Sequence, residues 1–127
     1  GMVDAIEQGF DINDFKDVLY HVTEMKRKLS DDEMYNIVKY INFDKFDSDY
    51  LTERALFLAM FNKPKTLELF LQRGADAKKM SEKKGFFSWY EDSPKIIEVI
   101  NKYKNIPVIK KENGGIISKF KKYTIFI

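Results

Sequence analysis

The stretch "ALFLAMFNKPKTLELFLQRGADAKK" at residues 55–79 contains two apolar segments separated by a short polar turn. Pro64 stands at the start of the second segment, where the first N–H groups of a helix have no partner inside it and a missing N–H costs nothing. Gly74 follows the second segment, and glycine readily takes the left-handed conformation that ends many helices. The stretch therefore predicts two short helices joined by a tight turn.

A glycine or asparagine followed two positions later by aspartate occurs three times at nearly constant intervals. These residues are Gly9 in "GFDIND", Asn42 in "NFDKFD" and Gly74 in "GADAKK", and they lie 33 and 32 residues apart. A left-handed residue at a helix end would explain all three positions. A period of this length is typical of repeat proteins, in which each unit is one small supersecondary structure.

Helix starts recur with a similar spacing. "NKPKTLELF" matches "DSPKIIEVI" at an offset of 30 residues, which places Pro94 in the position of Pro64. In an earlier copy, "SDDE" is a capping box in which Ser30 caps the helix and Glu33 bonds back to it. The turn before this box is five residues longer than its later counterpart, and insertions in a turn leave the packing of helices intact.

These spacings predict an all-α architecture of stacked helix pairs. A half unit ends at Gly9, and three further units cover about residues 15–42, 52–74 and 86–104. None of these pairs can bury its apolar face alone, so stacking builds a continuous core. We expect a repeat domain at residues 2–105 and a basic cap or tail at residues 106–127.

The clearest unit resembles an ankyrin repeat, and the resemblance extends over about residues 3–105. Arg54 and Ala55 stand where that family has Thr-Pro, and Phe57 stands where it has His. The matching residues are Leu56, Leu58, Ala59, Leu69, Leu71, Gly74, Ala75 and Asp76.

The resemblance implies an ankyrin-like helical solenoid that binds a partner protein without catalysis. Ankyrin proteins contact their partners through the concave face of the inner helices and through the hairpin tips. By alignment, the partner-binding positions are Tyr50, Leu51, Glu53, Met60 and Phe61 in one unit and Glu82, Lys83, Tyr90 and Glu91 in the next. Aromatic residues and methionine at such positions are typical anchors of protein interfaces.

The aromatic residues at helical spacing belong mostly to the core, with some rings left outside. The two sets are Phe57 with Phe61, and Phe86, Phe87, Trp89 and Tyr90.

Candidate catalytic and metal-binding residues have simpler structural explanations. His21 is the single histidine, and neither a general base with its orienting partner nor a metal site can be assembled around it. Asp44, Asp47 and Asp49 lack the glycine and terminal glutamate of a calcium loop, so a solvated turn is the better interpretation. The run "KKMSEKK" is expected to be an exposed loop. We therefore predict no enzyme, no metal and no cofactor.

Composition predicts a folded, non-membrane chain. Its 127 residues fit one domain, and hydrophobic residues make up 44%. The longest apolar runs fall short of the roughly 18 residues that span a bilayer, and the N-terminus lacks a signal-peptide pattern. There is no cysteine, which agrees with a reducing compartment. We expect a soluble, cytoplasmic protein.

The C-terminal segment differs in charge and pattern from the rest. From Lys102 onward there are seven lysines and one glutamate, a net charge of +6, so the preceding residues carry −4 of the total of +2. Asn113-Gly114 favours a β-hairpin, whereas the spacing of the following apolar residues also allows a helix.

Three roles remain open for this segment. The segment caps the stack, or forms an unstructured or partner-ordered tail, or contacts an anionic membrane or nucleic acid through a stretch that begins at Lys110 and ends at Lys122.

Overall fold

The computed structural model describes residues 7–9, 17–107, 109–110 and 116–117. Seven α-helices lie within these ranges, which confirms the all-α class. A 3-10 helix at Phe43–Lys45 precedes the third of them, and two short strands follow the last. The helices are α1 (Val18–Glu24), α2 (Asp31–Val38), α3 (Ser48–Met60), α4 (Pro64–Gln72), α5 (Ala77–Ser81), α6 (Phe86–Trp89) and α7 (Pro94–Tyr103).

Most helix starts follow the sequence signals. The capping box is confirmed, because Ser30 Oγ accepts a hydrogen bond from Glu33 N at 3.1 Å and Glu33 Oε1 accepts one from Ser30 N at 3.0 Å. Pro64 and Pro94 are the first residues of α4 and α7, as predicted. Asp47 caps α3 through a 2.8 Å bond from the N–H of Tyr50.

The shared left-handed conformation holds at two of its three predicted positions. Gly9 and Gly74 have φ angles of 102° and 127°. The prediction for Asn42 is wrong, since its φ is −80°. Its side-chain Oδ1 instead accepts a hydrogen bond from Asp44 N at 3.0 Å and thereby starts the 3-10 helix, a role that glycine cannot fill.

The predicted boundaries of the later units need correction. Helix α3 begins at Ser48, four residues before the expected start, because Asp47 caps it. The run "KKMSEKK" is not wholly a loop, since Lys78, Lys79, Met80 and Ser81 belong to α5. Gly85, at a φ of 80°, ends the interruption between α5 and α6. The third unit therefore has two short helices where the second has one long helix.

The helices contact one another in two rows. In the first row α1 lies against α3, and α3 against α5; in the second row α2 lies against α4, and α4 against α7. Across the rows, α1 contacts α2 and α3 contacts α4. One cluster of buried side chains runs through the described part of the chain, and its largest members include Leu19, Met34, Phe70 and Tyr103.

Hydrogen bonds between distant residues repeat the sequence period. Most of them join partners 30 to 35 positions apart, and two bonds near the start of α3 span 26 and 24 positions. The partners advance together along the chain in each row, so successive units run in parallel register. The 30-to-35 pairs include Arg54 with Glu24, Lys63 with Leu29, Lys65 with Asp31, Arg73 with Ile41, Lys79 with Asp49, Lys102 with Glu68, and Gln72 with Tyr103.

The N-terminus of α4 is capped by the preceding unit. Lys63, the residue before α4, makes no side-chain cap bond. The Asp31 carboxylate instead accepts hydrogen bonds from Lys65 N at 2.8 Å, Thr66 N at 2.9 Å and Thr66 Oγ1 at 2.8 Å. Because Asp31 belongs to α2, one side chain both satisfies free N–H groups of α4 and fixes the register of the two units.

After α7, the strands β1 (Ile109–Lys110) and β2 (Ile116–Ile117) pair antiparallel, with Ile109 opposite Ile117. This pairing agrees with the hairpin alternative. The turn at Asn113-Gly114, the rest of the basic segment and Asp11 lie outside the described residues. Strand β2 lies beside the 3-10 helix. The boundary between a repeat domain and a C-terminal segment stays a prediction.

Among the described helices, none combines the length and the apolar composition needed to cross a bilayer.

We predict that Asp31→Ala lowers the free energy of unfolding by about 1 to 2 kcal/mol, because a helix cap and the partner of a buried hydroxyl are lost together. Chemical denaturation followed by circular dichroism measures the change. Asp32→Ala is the matched control, since Asp32 pairs with Lys65 on the surface at 3.1 Å and should cost less than about 1 kcal/mol. Equal losses in the two variants would contradict the capping role.

Candidate partner-binding surface

The structure separates the nine predicted partner-binding residues by exposure. Five are exposed, two are half-buried and two are buried. The exposed residues are Glu53, Met60, Glu82, Lys83 and Glu91, the half-buried ones are Tyr50 and Phe61, and the buried ones are Leu51 and Tyr90. Met60 is 57% exposed, the largest value among the apolar members of the set.

Leu51 and Tyr90 belong to the core, which corrects their assignment to a binding surface. Leu51 is fully buried because the early start of α3 places it on the same face as Ala55 and Leu58. Tyr90 is 8% exposed, and its ring packs on Phe86 with a centroid distance of 4.7 Å. Burial raises the pKa of the Tyr90 hydroxyl above its ordinary value.

One of the two predicted hairpin tips is helical. Tyr50 and Leu51 lie in the first turn of α3. Tyr50 stacks on Phe46 at a centroid distance of 5.4 Å, and burial raises its pKa. Glu82 and Lys83 do lie outside the helices, in the interruption between α5 and α6.

Sequence reasoning missed the most exposed aromatic residues of the described part. Trp89 is 72% exposed, Phe87 is 40% exposed, and Tyr20 on α1 is 45% exposed. The spacing of Phe86 and Tyr90 was an available signal. Residues four positions apart share a helix face, so once these two occupy the core, Phe87 and Trp89 must point elsewhere.

Arg54 joins the first two units beneath this surface, with its side chain 5% exposed. Its guanidinium donates to Glu24 Oε1 at 3.0 Å, to Thr23 Oγ1 at 3.4 Å and to Glu53 Oε1 at 3.4 Å. Its Nε finds no partner within the described residues. The hydrogen bond from Arg54 holds the pKa of the Glu24 carboxyl below its ordinary value.

Aromatic rings surround the guanidinium and continue toward the end of α3. The Arg54 guanidinium lies 4.7 Å from the Phe57 ring and 4.9 Å from the Tyr20 ring. Lys26 Nζ lies 4.9 Å from the Phe57 ring and 5.2 Å from the Phe61 ring. A cation held over an aromatic face is stabilised by the ring quadrupole, so these contacts tie the first turn to α3.

The turns between paired helices lie side by side, and we call residues 25–30, 61–63 and 90–93 together the turn edge. In the first two turns, the Arg27 guanidinium lies 5.3 Å from the Phe61 ring, and Lys63 Nζ donates to the Leu29 carbonyl. The second and third turns directly precede α4 and α7. The starts of these helices line a shared open groove of about 440 Å³ that includes Pro64 and Lys95.

Two exposed apolar side chains occupy equivalent places beside this edge. Met60 is the last residue of α3 and Trp89 is the last residue of α6. Each lies 13 positions after the aspartate that caps the first helix of its unit, Asp47 or Asp76. The interruption between α5 and α6 therefore leaves the 13-residue spacing between the capping aspartate and the exposed apolar residue unchanged.

The candidate metal residues have other roles. Asp47 is a helix cap, and Asp49 accepts a 2.8 Å bond from Lys79 Nζ. His21 is exposed and makes an edge-on contact with the Tyr20 ring at 5.7 Å. Over residues 7–9, 17–107 and the two strands, no group of three or more histidine or acidic side chains is arranged to hold a metal.

Comparisons with protein-family models, with curated proteins and with solved structures gave no match to this chain.

We predict that the bond between Glu24 and Arg54 makes a pH-dependent contribution to stability. Because the folded pKa of Glu24 is below the ordinary value of 4.5, this contribution is complete above that value and is lost as the pH falls through the folded pKa. Unfolding free energies of the wild type and of Glu24→Gln, measured at successive pH values, should therefore differ most near neutral pH and converge in acid. A difference that is constant with pH would contradict this assignment.

Proposed function

We propose that the chain is an ankyrin-like repeat domain in which three helix pairs form a short solenoid. Two observations support this architecture. The hydrogen bonds between units repeat at 30 to 35 residues, close to the ankyrin period of 33, and the units run in parallel register. The matches in residues 55–79 lie in the unit with the most regular helix pair, α3 and α4.

We further propose that the domain binds a partner protein through the row of first helices, α1, α3, α5 and α6. One observation carries this proposal. Five large apolar side chains are exposed among the described residues, and four of them, Tyr20, Met60, Phe87 and Trp89, lie on this row. The fifth, Tyr40, follows α2. Exposed tryptophan, tyrosine and methionine are typical anchors of a protein interface.

The function we propose is non-catalytic. Three charged side chains of this row have structural tasks, as Glu24 and Glu53 hold Arg54 and Asp47 caps α3. Association requires only the apolar anchors and a polar rim, and the surface has both. The alternative, an anionic membrane or nucleic acid bound between Lys110 and Lys122, concerns residues that lie mostly outside the described ranges.

We predict that Met60→Ser combined with Trp89→Ser abolishes capture of the partner, because truncated anchors commonly remove several kcal/mol of binding energy. Both side chains are exposed, so the melting temperature should change little. The measurement is affinity capture from an extract of the source cells, quantified against the wild type.

Tyr40→Ser is the matched control, since Tyr40 is 38% exposed but lies off the row of first helices. It should capture the partner as the wild type does. Undiminished capture by the Met60 and Trp89 variant would show that binding occurs elsewhere. In that case a variant ending at residue 107 would test the basic segment.

A further inference from the structure

The turn edge carries charges of opposite sign at its two ends. Its first turn contains Lys26, Arg27 and Lys28, and its third turn contains Glu91 and Asp92. Arg27, Lys28, Glu91 and Asp92 are all exposed, and within the described ranges none of the four forms an ion pair. Their charges are thus available to a partner.

Within the described ranges, the acidic residues near the basic turn form no ion pair with Arg27 or Lys28, because each makes other contacts. Glu24 pairs with Arg54 and with Lys26, and Asp32 pairs with Lys65. Asp31 caps α4, and Glu33 closes its own capping box. Arg27 and Lys28 therefore have no ion-pair partner within the described ranges, and each can bind a carboxylate of a second copy.

Met60 lies between the two charged ends of the turn edge, and Trp89 lies beside the acidic end. Neighbouring packed helices are about 8 to 10 Å apart, so the first and third turns are separated by roughly 20 Å, with Met60 near the midpoint. Along the edge, the basic first turn is followed by Met60 and then by Trp89 with the acidic third turn. Such a surface is complementary to its own copy turned end for end.

We infer that the turn edge binds a second copy of this chain, with the two edges antiparallel about a two-fold axis near Met60. This inference rests on the proposed function and names the partner of part of that surface. A two-fold interface uses the same patch on both subunits. Arg27 and Lys28 of each copy then face Glu91 and Asp92 of the other.

The antiparallel arrangement also gives each tryptophan a partner. Trp89 lies next to the acidic turn. The Arg27 guanidinium of the second copy, which faces Glu91 and Asp92, therefore also lies close to the Trp89 ring. Arginine over the face of tryptophan is a favourable cation–π contact. A parallel arrangement would instead set cations against cations and carboxylates against carboxylates, which is repulsive.

The experiment is a charge exchange followed by analytical ultracentrifugation. The wild type should form a dimer that dissociates on dilution and at high ionic strength. Arg27→Glu with Lys28→Glu should be monomeric, as should Glu91→Lys with Asp92→Lys, because each places like charges together. An equimolar mixture of the two variants should form a heterodimer, since the exchanged charges are again complementary.

Trp89 supplies an independent readout, because it is the single tryptophan of the sequence. Its fluorescence should shift to shorter wavelength as the wild-type concentration rises, and should not shift in either charge variant. Lys78→Glu is the control, since this lysine is exposed and lies in the first turn of α5, away from the turn edge. It should dimerise as the wild type does, and circular dichroism should show equal helix content throughout.

Three results would overturn the inference: a wild type that is monomeric at every concentration, charge variants that still dimerise, or a mixture that stays monomeric. A monomeric wild type that loses a different partner through Met60→Ser and Trp89→Ser would leave the proposed function standing. If dimerisation depends on charge but is not weakened by Met60→Ser and Trp89→Ser, then Met60 and Trp89 are not the anchors of the proposed function.

Discussion

The arrangement of the first two helix pairs depends on the hydrogen bonds that the Asp31 carboxylate accepts from the next unit. Asp31 belongs to α2, yet it satisfies two N–H groups at the start of α4. Free N–H groups at a helix start cost free energy when they lack partners, so α2 stabilises α4 in this place. Capping, which is usually a local property of one helix, here becomes a bond between units.

The same principle of shared polar groups continues along both rows. Ser48 at the start of α3 donates from Oγ to the Gly74 carbonyl at 2.7 Å, and Thr52 accepts from Asp76 N at 2.9 Å. Arg73 donates to the Ile41 carbonyl at 3.1 Å, which ties the segment after α2 to the second unit. Burial of apolar side chains supplies most of the driving force, whereas these directional bonds determine which residues face each other.

The sequence predicts the paired helices well where a local signal determines them, as at Ser30, Pro64 and Pro94. It predicts less where a tertiary contact decides. Asn42 can either take a left-handed conformation or cap a following turn with its side chain. Only the fold shows that it does the second and starts the 3-10 helix. Leu51 was assigned to the surface because the start of α3 was placed too late, and a shift of a few positions turns a residue from one helix face to another. Trp89 was missed because the sequence alone leaves open which rings of the cluster at residues 86–90 occupy the core.

A single substitution of Arg54 breaks several contacts at once. A neutral residue there would leave Glu53 without its cation, Glu24 with Lys26 alone, and a void beside the rings of Tyr20 and Phe57. Lysine lacks the fork that reaches three acceptors at once. Replacement of Arg54 without loss of these contacts would require several neighbours to change together. The arginine at this position is therefore entrenched, since two carboxylates and two rings in contact with it depend on its guanidinium.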